Sequence, residues 1–473
     1  MSDLRRRALA GNAGNKTPSK RSSSSKAGSK TNSKSNSKAN SAAASRHNTD
    51  DEGAWDSDGS VWSFGSLGDE LRGLEDAPGG TWQEDLADRI VRITDKSMRK
   101  KLATGGLEEA LIAYNRLLQS KYTSSELEGK TTGIVDALSH SLRMGKTEKE
   151  TTLACQAIVL TLITDNDCMS FGDLNTPLQR IITDHDSLVV KTAAIHALGA
   201  LAFFTDPSTQ DTEEVMDFFH EIIEGDGHSI GAGDDGGTVA AAIEEWGLLL
   251  TNIDDAEDIT ERSVEAFVDQ LESTEIEVQV ATGEVIALLY ERAHREHTSD
   301  DDDSGEDGGS GDEYPSGFII NVPENEMRAP IENYTVYRNL PHLKQLLTDL
   351  SRSSTKSVSK KNRRTQHATF ANILHTVNYP LHGPNYSRAL DLDGREQGSR
   401  LEVKVGRKGI VKLNTWWKLV RWNALRRFLG GGILIHWQEN PVIFRSLPLI
   451  MDAPSTHKKN SGRTDRMTLS PYD

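Results

Sequence analysis

The sequence predicts an all-α chain, a solenoid of stacked helix pairs with a small appended domain. Three observations predict it. Four Ala-rich helical runs recur through the middle of the chain, and amphipathic segments alternate with them. Charge is also segregated along the 473 residues: residues 1–48 carry +10, residues 352–473 carry +14, and the stretch between them carries −41, for a net −17.

Residues 1–80 are expected to be a disordered arm. Lys16 to Ser45 is Ser, Lys, Asn and Ala with no aromatic residue, so it cannot bury enough apolar surface to offset its ordering entropy. An acidic stretch with Trp55, Trp62 and Phe64 follows; it reads as a linker with scattered aromatics, the alternative being a segment that docks on a partner. Thr81, three residues before Glu84, has the spacing of a helix N-cap. Leu86, Ile90 and Ile93 then repeat at helical spacing. Leu107, Leu111, Tyr114, Leu117 and Leu118 form a second amphipathic run, and Ile134, Leu138 and Leu142 a third.

The four similar runs are Thr151–Thr164, Leu188–Phe204, Gly237–Ile253 and Ile276–Ala293. Each is Ala-rich first and Leu/Ile-rich later, so small residues let neighbouring helices approach and bulky ones fill the stack. Their period of about 37–49 residues is close to that of HEAT and armadillo units. Pro177–Thr183, Glu213–Glu224 and Ile259–Glu272 are the expected partner helices. The domain is placed over 81–350, with a solvated acidic loop at 299–313 and a further helix over Arg338–Asp349.

Residues 351–445 form the expected C-terminal domain, and 446–473 a flexible tail. A basic segment enters a helix with Phe370, Ile373, Leu374 and Val377 on one face. Leu401–Leu413 alternates as a β-hairpin. Thr415–Leu429 is helical, stopped by Gly430–Gly432.

Several function classes are disfavoured. Two cysteines, Cys155 and Cys168, support neither a disulfide framework nor a structural zinc site. There is no apolar leader and no run of about 18–20 apolar residues, so a soluble intracellular protein without a membrane partner is expected. Gly227-His228-Ser229-Ile230-Gly231 matches the nucleophile-elbow string but follows an amphipathic helix instead of a strand. Gly129-Lys130-Thr131 and Gly145-Lys146-Thr147 lack the upstream glycine of a phosphate-binding loop and read as helix termini. His196, on an apolar helix, reads as a core or groove histidine. No catalytic residue, metal site or cofactor is predicted.

Three segments resemble one family, the interferon-related developmental regulators. The first is Leu138-Ser139-His140-Ser141-Leu142-Arg143-Met144-Gly145-Lys146-Thr147. The second is Ser359-Lys360-Lys361-Asn362-Arg363-Arg364-Thr365-Gln366 with Phe370. The third runs through Leu413, Trp416, Leu425, Leu429, Gly432, His436 and Asn440. The resemblance implies an armadillo-like helical fold, no enzyme activity, and either of two roles. One is binding to ribosomes, including translationally inactive ones; the other is transcriptional co-regulation through co-repressor complexes. The basic arm, the acidic loop and Trp416-Trp417 depart from the family pattern.

Residues 352–372 hold six Lys/Arg and no acid, and clustered cations give sequence-independent, salt-sensitive affinity for phosphate. The expected RNA contacts are Lys360, Lys361, Arg363, Arg364, Lys418, Arg421, Arg426 and Arg427. Trp416, Trp417 and Trp422 can stack on bases if exposed, the alternative being core anchors. The acidic solenoid would repel bare nucleic acid, so its partners are expected to be proteins. The expected molecule is a monomer of the cytoplasm and nucleus. It binds ribosomes or RNA through its C-terminal basic segments, the alternative being a nuclear co-regulator scaffold.

Overall fold

The structure, a computed structural model, describes residues 82–452 apart from 102–103, 167–169, 234, 296–329, 353–359, 391–395, 400, 406–408 and 449–450. The expected arm over 1–80, the cap at Thr81, Cys168, the acidic loop 299–313 and the tail beyond 452 lie outside the described residues.

The chain is an all-α solenoid. It opens with α1 (Trp82–Thr94), α2 (Lys96–Lys101), α3 (Thr104–Ser120) and α4 (Ser124–Leu127). Helix pairs follow: α5 (Thr131–Met144) with α6 (Glu148–Thr164), α7 (Phe171–Asp184) with α8 (Leu188–Phe204), α9 (Thr209–Glu224) with α10 (Gly236–Leu250), and α11 (Glu257–Gln270) with α12 (Ile276–Ala293). A short antiparallel pair, β1 (His294–Arg295) and β2 (Ile331–Glu332), precedes the last pair, α13 (Leu340–Arg352) with α14 (Lys360–Asn378). The second helix of each pair packs on the next, so α3, α6, α8, α10, α12 and α14 make one continuous layer. The first helices lie against it as the other layer.

Local chemistry starts the helices where the periodicity placed them. Thr147, Ser208 and Asp235 cap α6, α9 and α10, each side chain accepting a backbone N–H three residues on. The first helices are amphipathic: α9 buries Val215, Met216, Phe219, Ile222 and Ile223 and exposes Glu214, Asp217, Glu221 and Glu224. Helix α7 begins six residues before Pro177, where the sequence reading had started it. The ring's missing N–H leaves a gap in the ladder that the flanking apolar contacts of Leu174 and Leu178 tolerate.

The second helices differ in kind. Every residue of α8 from Val190 to Phe204 is buried. A helix covered on all sides needs a layer on each face, and the C-terminal part supplies the third layer. Past β3 (Tyr386–Leu390) and β4 (Glu396–Ser399), an unforeseen hairpin, come β5 (Glu402–Val405) and β6 (Gly409–Lys412), the expected hairpin, paired Val403 to Val411. Next is α15 (Trp416–Leu429), which lies across α12, α10, α6 and α3. A 3-10 turn over Gly430–Gly432 ends it, and α16 (Ile433–Glu439) and α17 (Pro441–Ser446) complete the cover; β7 (Met451–Asp452) adds to β6.

Candidate nucleic-acid interface and the groove beside it

Lys360, Lys361, Arg363 and Arg364 stand in the first turns of α14, whose first turn contains no acid. Their side chains lie outside the described residues. The same helix then docks: Gln366 is buried and donates to Gln279 Oε1 of α12 at 3.2 Å, and Phe370, Ile373 and Val377 are buried. Gly283 on α12 makes that seat, because a Cβ there would lie 2.6 Å from the Ile373 side chain. So the second family-like segment divides into a basic entry and an apolar anchor.

The four candidates on α15 split in two. Lys418 is half-buried, donating to Asn414 Oδ1 at 2.7 Å, and Arg426 is exposed. Arg421 and Arg427 are corrections, because neither has a donor face left for RNA. The Arg421 guanidinium donates to Thr251 Oγ1, Thr251 O, Asn252 Oδ1 and Ser446 O at 2.7–2.8 Å, and it stacks beside Phe203 and Trp417. Burial pulls its pKa down to about 10. Arg427 is 7% exposed and pairs with Glu244 and Glu245 of α10, with 2.8 Å to Glu245. Trp416 and Trp422 are core anchors, and Trp417 is partly buried between Lys418 and Arg421.

These pairings reveal a groove floor lined by carboxylates. Glu245 accepts from His196 Nδ1 at 2.7 Å as well as from Arg427. Burial pushes the Glu245 carboxyl up to about 7 despite Arg427, and burial holds His196 well below its ordinary value, so the imidazole is neutral. Gly199 of α8 permits the approach, since a Cβ there would lie 2.3 Å from Glu245 Oε2. Glu284 faces Asn423 at 3.4 Å, and burial, with Glu244 beside it, raises it to about 8. Glu291 accepts the backbone N–H groups of Trp416 and Trp417 at 2.6 and 3.0 Å, capping α15 from another helix; burial raises it to about 7. Sequence reasoning missed this row. The available signal was four acids, Glu244, Glu245, Glu284 and Glu291, inside otherwise apolar runs.

The third family-like segment is a clip that joins the last helix of the solenoid, α14, to its start. Trp416 Nε1 donates to Thr376 Oγ1 at 2.7 Å, and Leu425 and Leu429 are buried. Gly432 sits where a Cβ would lie 1.7 Å from Gln119 O. His436 Nε2 donates to Leu118 O at 2.7 Å and Asn440 Nδ2 to Ile163 O at 2.7 Å. The first segment is a helix junction: Lys146 N donates to Glu150 Oε2, and Gly145 has no room for a Cβ against Ser141 O and Thr151 Oγ1.

Other candidates find plain roles. Gly129-Lys130-Thr131 and Gly145-Lys146-Thr147 are helix-start turns. Ser229 lies on an exposed 3-10 turn with its hydroxyl toward Glu221 O at 3.5 Å. At the loop ends between α8 and α9 and between α10 and α11 lies a cleft lined by Asp206, Glu213, Asp254, Asp255, Asp258 and Glu261, with Arg262 as its cation.

Residues 54–378 match the family model of the interferon-related developmental regulators. The match ends with α14, so the clip lies beyond it. Among curated proteins, interferon-related developmental regulator 2 of Mus musculus is 24% identical over 76% of this chain and 71% of its own length. Interferon-related developmental regulator 1 of Sus scrofa is 21% identical over 81% and 77%. An uncharacterised protein of Schizosaccharomyces pombe is 28% identical over 56% of this chain, which spans about half of that relative's length, 52%. With more than half of its length inside the family model, this chain is a member of the interferon-related developmental regulator family.

Proposed function

We propose that the protein is a non-enzymatic regulator that binds ribosomes or RNA through its C-terminal basic segment, acting in translational control. The observation that carries this reading is the run of six Lys/Arg without an acid over 352–372, at the entry to α14. Each phosphate neutralised there releases counterions. Arg426 and Lys418 on α15 extend the cationic set, while Arg421 and Arg427 hold the fold. The test is co-sedimentation with ribosomes at moderate salt. Reversing the charge of Lys360, Lys361, Arg363 and Arg364 should abolish it, and unchanged association would refute the contact.

The second reading is a nuclear co-regulator scaffold. It draws support from the acidic cleft between the α8–α9 and α10–α11 loops, which suits a basic protein tail. Nuclease treatment separates the two: it should release the protein from its complexes under the first reading and leave partners bound under the second.

A further inference from the structure

We propose that Tyr379 and Arg388 form a stacking platform for an unpaired nucleobase, a subsite that rests on the RNA reading above and supplies what its lysines and arginines lack. The end of α14 folds back on itself. Tyr379 N donates to His375 O at 2.8 Å, His382 N to Tyr379 O at 2.9 Å, and Thr376 Oγ1 to His382 O at 3.0 Å. Gly383 closes the turn against Asn414 O, where no Cβ fits. Asn372 Nδ2 donates to Asn385 Oδ1 at 2.6 Å, holding the start of β3 to the helix.

This turn assembles four rings. His382 and Tyr386 are parallel, 3.6 Å between centroids and 4° between planes. Tyr379 lies 5.2 Å from His382 at 21°, and His375 sits alongside, its Nε2 2.9 Å from His382 Nδ1. The inner rings are buried or half-buried, but Tyr379 is 46% exposed. The exposed Arg388 guanidinium lies 5.7 Å from the Tyr379 centroid and has no carboxylate partner among the described residues.

A buried stack ending in an exposed ring is a rigid surface that costs little entropy to present. Aromatic faces of this kind take bases of any sequence, and a neighbouring arginine can stack on the base or meet its phosphate. Arg388 places a cation beside the exposed ring, where the phosphate next to a stacked base would lie.

The experiment is binding of the full chain to a short fluorescent single-stranded RNA across a salt series, with 5-iodouridine photocrosslinking in parallel. Tyr379→Ala should weaken binding about ten-fold without changing the salt slope, since no charge is lost. Tyr379→Phe should bind as the parent does. Arg388→Ala should lower both affinity and slope. Crosslinks on the unmodified chain should map to Tyr379, a readout independent of any variant's folding. Salt-dependent binding that is lost on reversing Lys360, Lys361, Arg363 and Arg364, but untouched by Tyr379→Ala and crosslinked elsewhere, would overturn the platform and keep the RNA reading. Absence of RNA binding by the parent chain would overturn both.

Discussion

Arg427 shows how far one side chain's role depends on what it meets. On the sequence it is one of a pair of exposed-looking arginines at the end of a helix; in the fold it neutralises Glu244 and Glu245 while Glu245 also holds His196. Removing Arg427 leaves the buried Glu245 carboxyl without its cation and its hydrogen-bond donor. Arg427→Met should therefore cost about 3–5 kcal/mol in chemical denaturation, and adding Glu245→Gln should recover part of the loss. Lys191 is a similar case without a carboxylate: its ammonium donates to Ile182 O and Thr183 O at 2.9 Å and to Ile230 O. It ties the end of α7 to the 3-10 turn before α10. Lys191→Met should lower stability by about 2–3 kcal/mol, read as an earlier unfolding midpoint. Glu284 gives a pH signature. Its folded pKa, about 8, lies above the ordinary carboxyl value, so the folded state holds the proton longer. Its contribution is intact at pH near 4 and is lost as pH rises toward 8. Glu284→Gln should therefore gain thermal stability relative to the parent as pH goes from 5 to 8.5; a constant difference would contradict the assignment.

At the scale of elements, α15 is held at both ends by the layer it covers. Glu291 caps its first N–H groups, and Gln119 Nε2 donates to Phe428 O at 3.0 Å near its end. Glu291→Ala should speed hydrogen exchange at Trp416 and Trp417 and leave α9 and α11 unchanged. Nearly every helix of the solenoid was legible, because 3.6-residue periodicity and capping residues are local. The arginines of α15 were misread for the same reason. They are spread among its apolar residues, Arg427 seven residues after Val420 and Arg421 four before Leu425, and local pattern does not distinguish water from a groove of carboxylates. The short α16 and α17 went unseen; they are too brief to show a period, and their polar residues His436 and Asn440 are spent on carbonyls of α3 and α6.

At the scale of the whole molecule, the cover and the solenoid depend on each other. The second helices present apolar residues, with Glu245, Glu284 and Glu291 among them, on the face that α15, α16 and α17 occupy. A chain ending before Trp416 should expose that face, bind a hydrophobic dye and aggregate, whereas the full chain should do neither. The inner face of the acidic solenoid is covered by α15, α16 and α17, while the Asp/Glu cleft lies at its loop ends. The helical class, the repeat, the order of segments and the plus–minus–plus charge could all be read from composition and spacing, because each is a property of neighbours along the chain. Tertiary structure alone decided that Arg421 and Arg427 are consumed inside the fold. Arg421 and Arg427 meet partners some 170–180 residues away, at Thr251 and Glu245. His375, Tyr379, His382 and Tyr386 become one stack only when the turn after α14 closes. Burial and long-range pairing set the cost of each charge, and neither is written in local sequence.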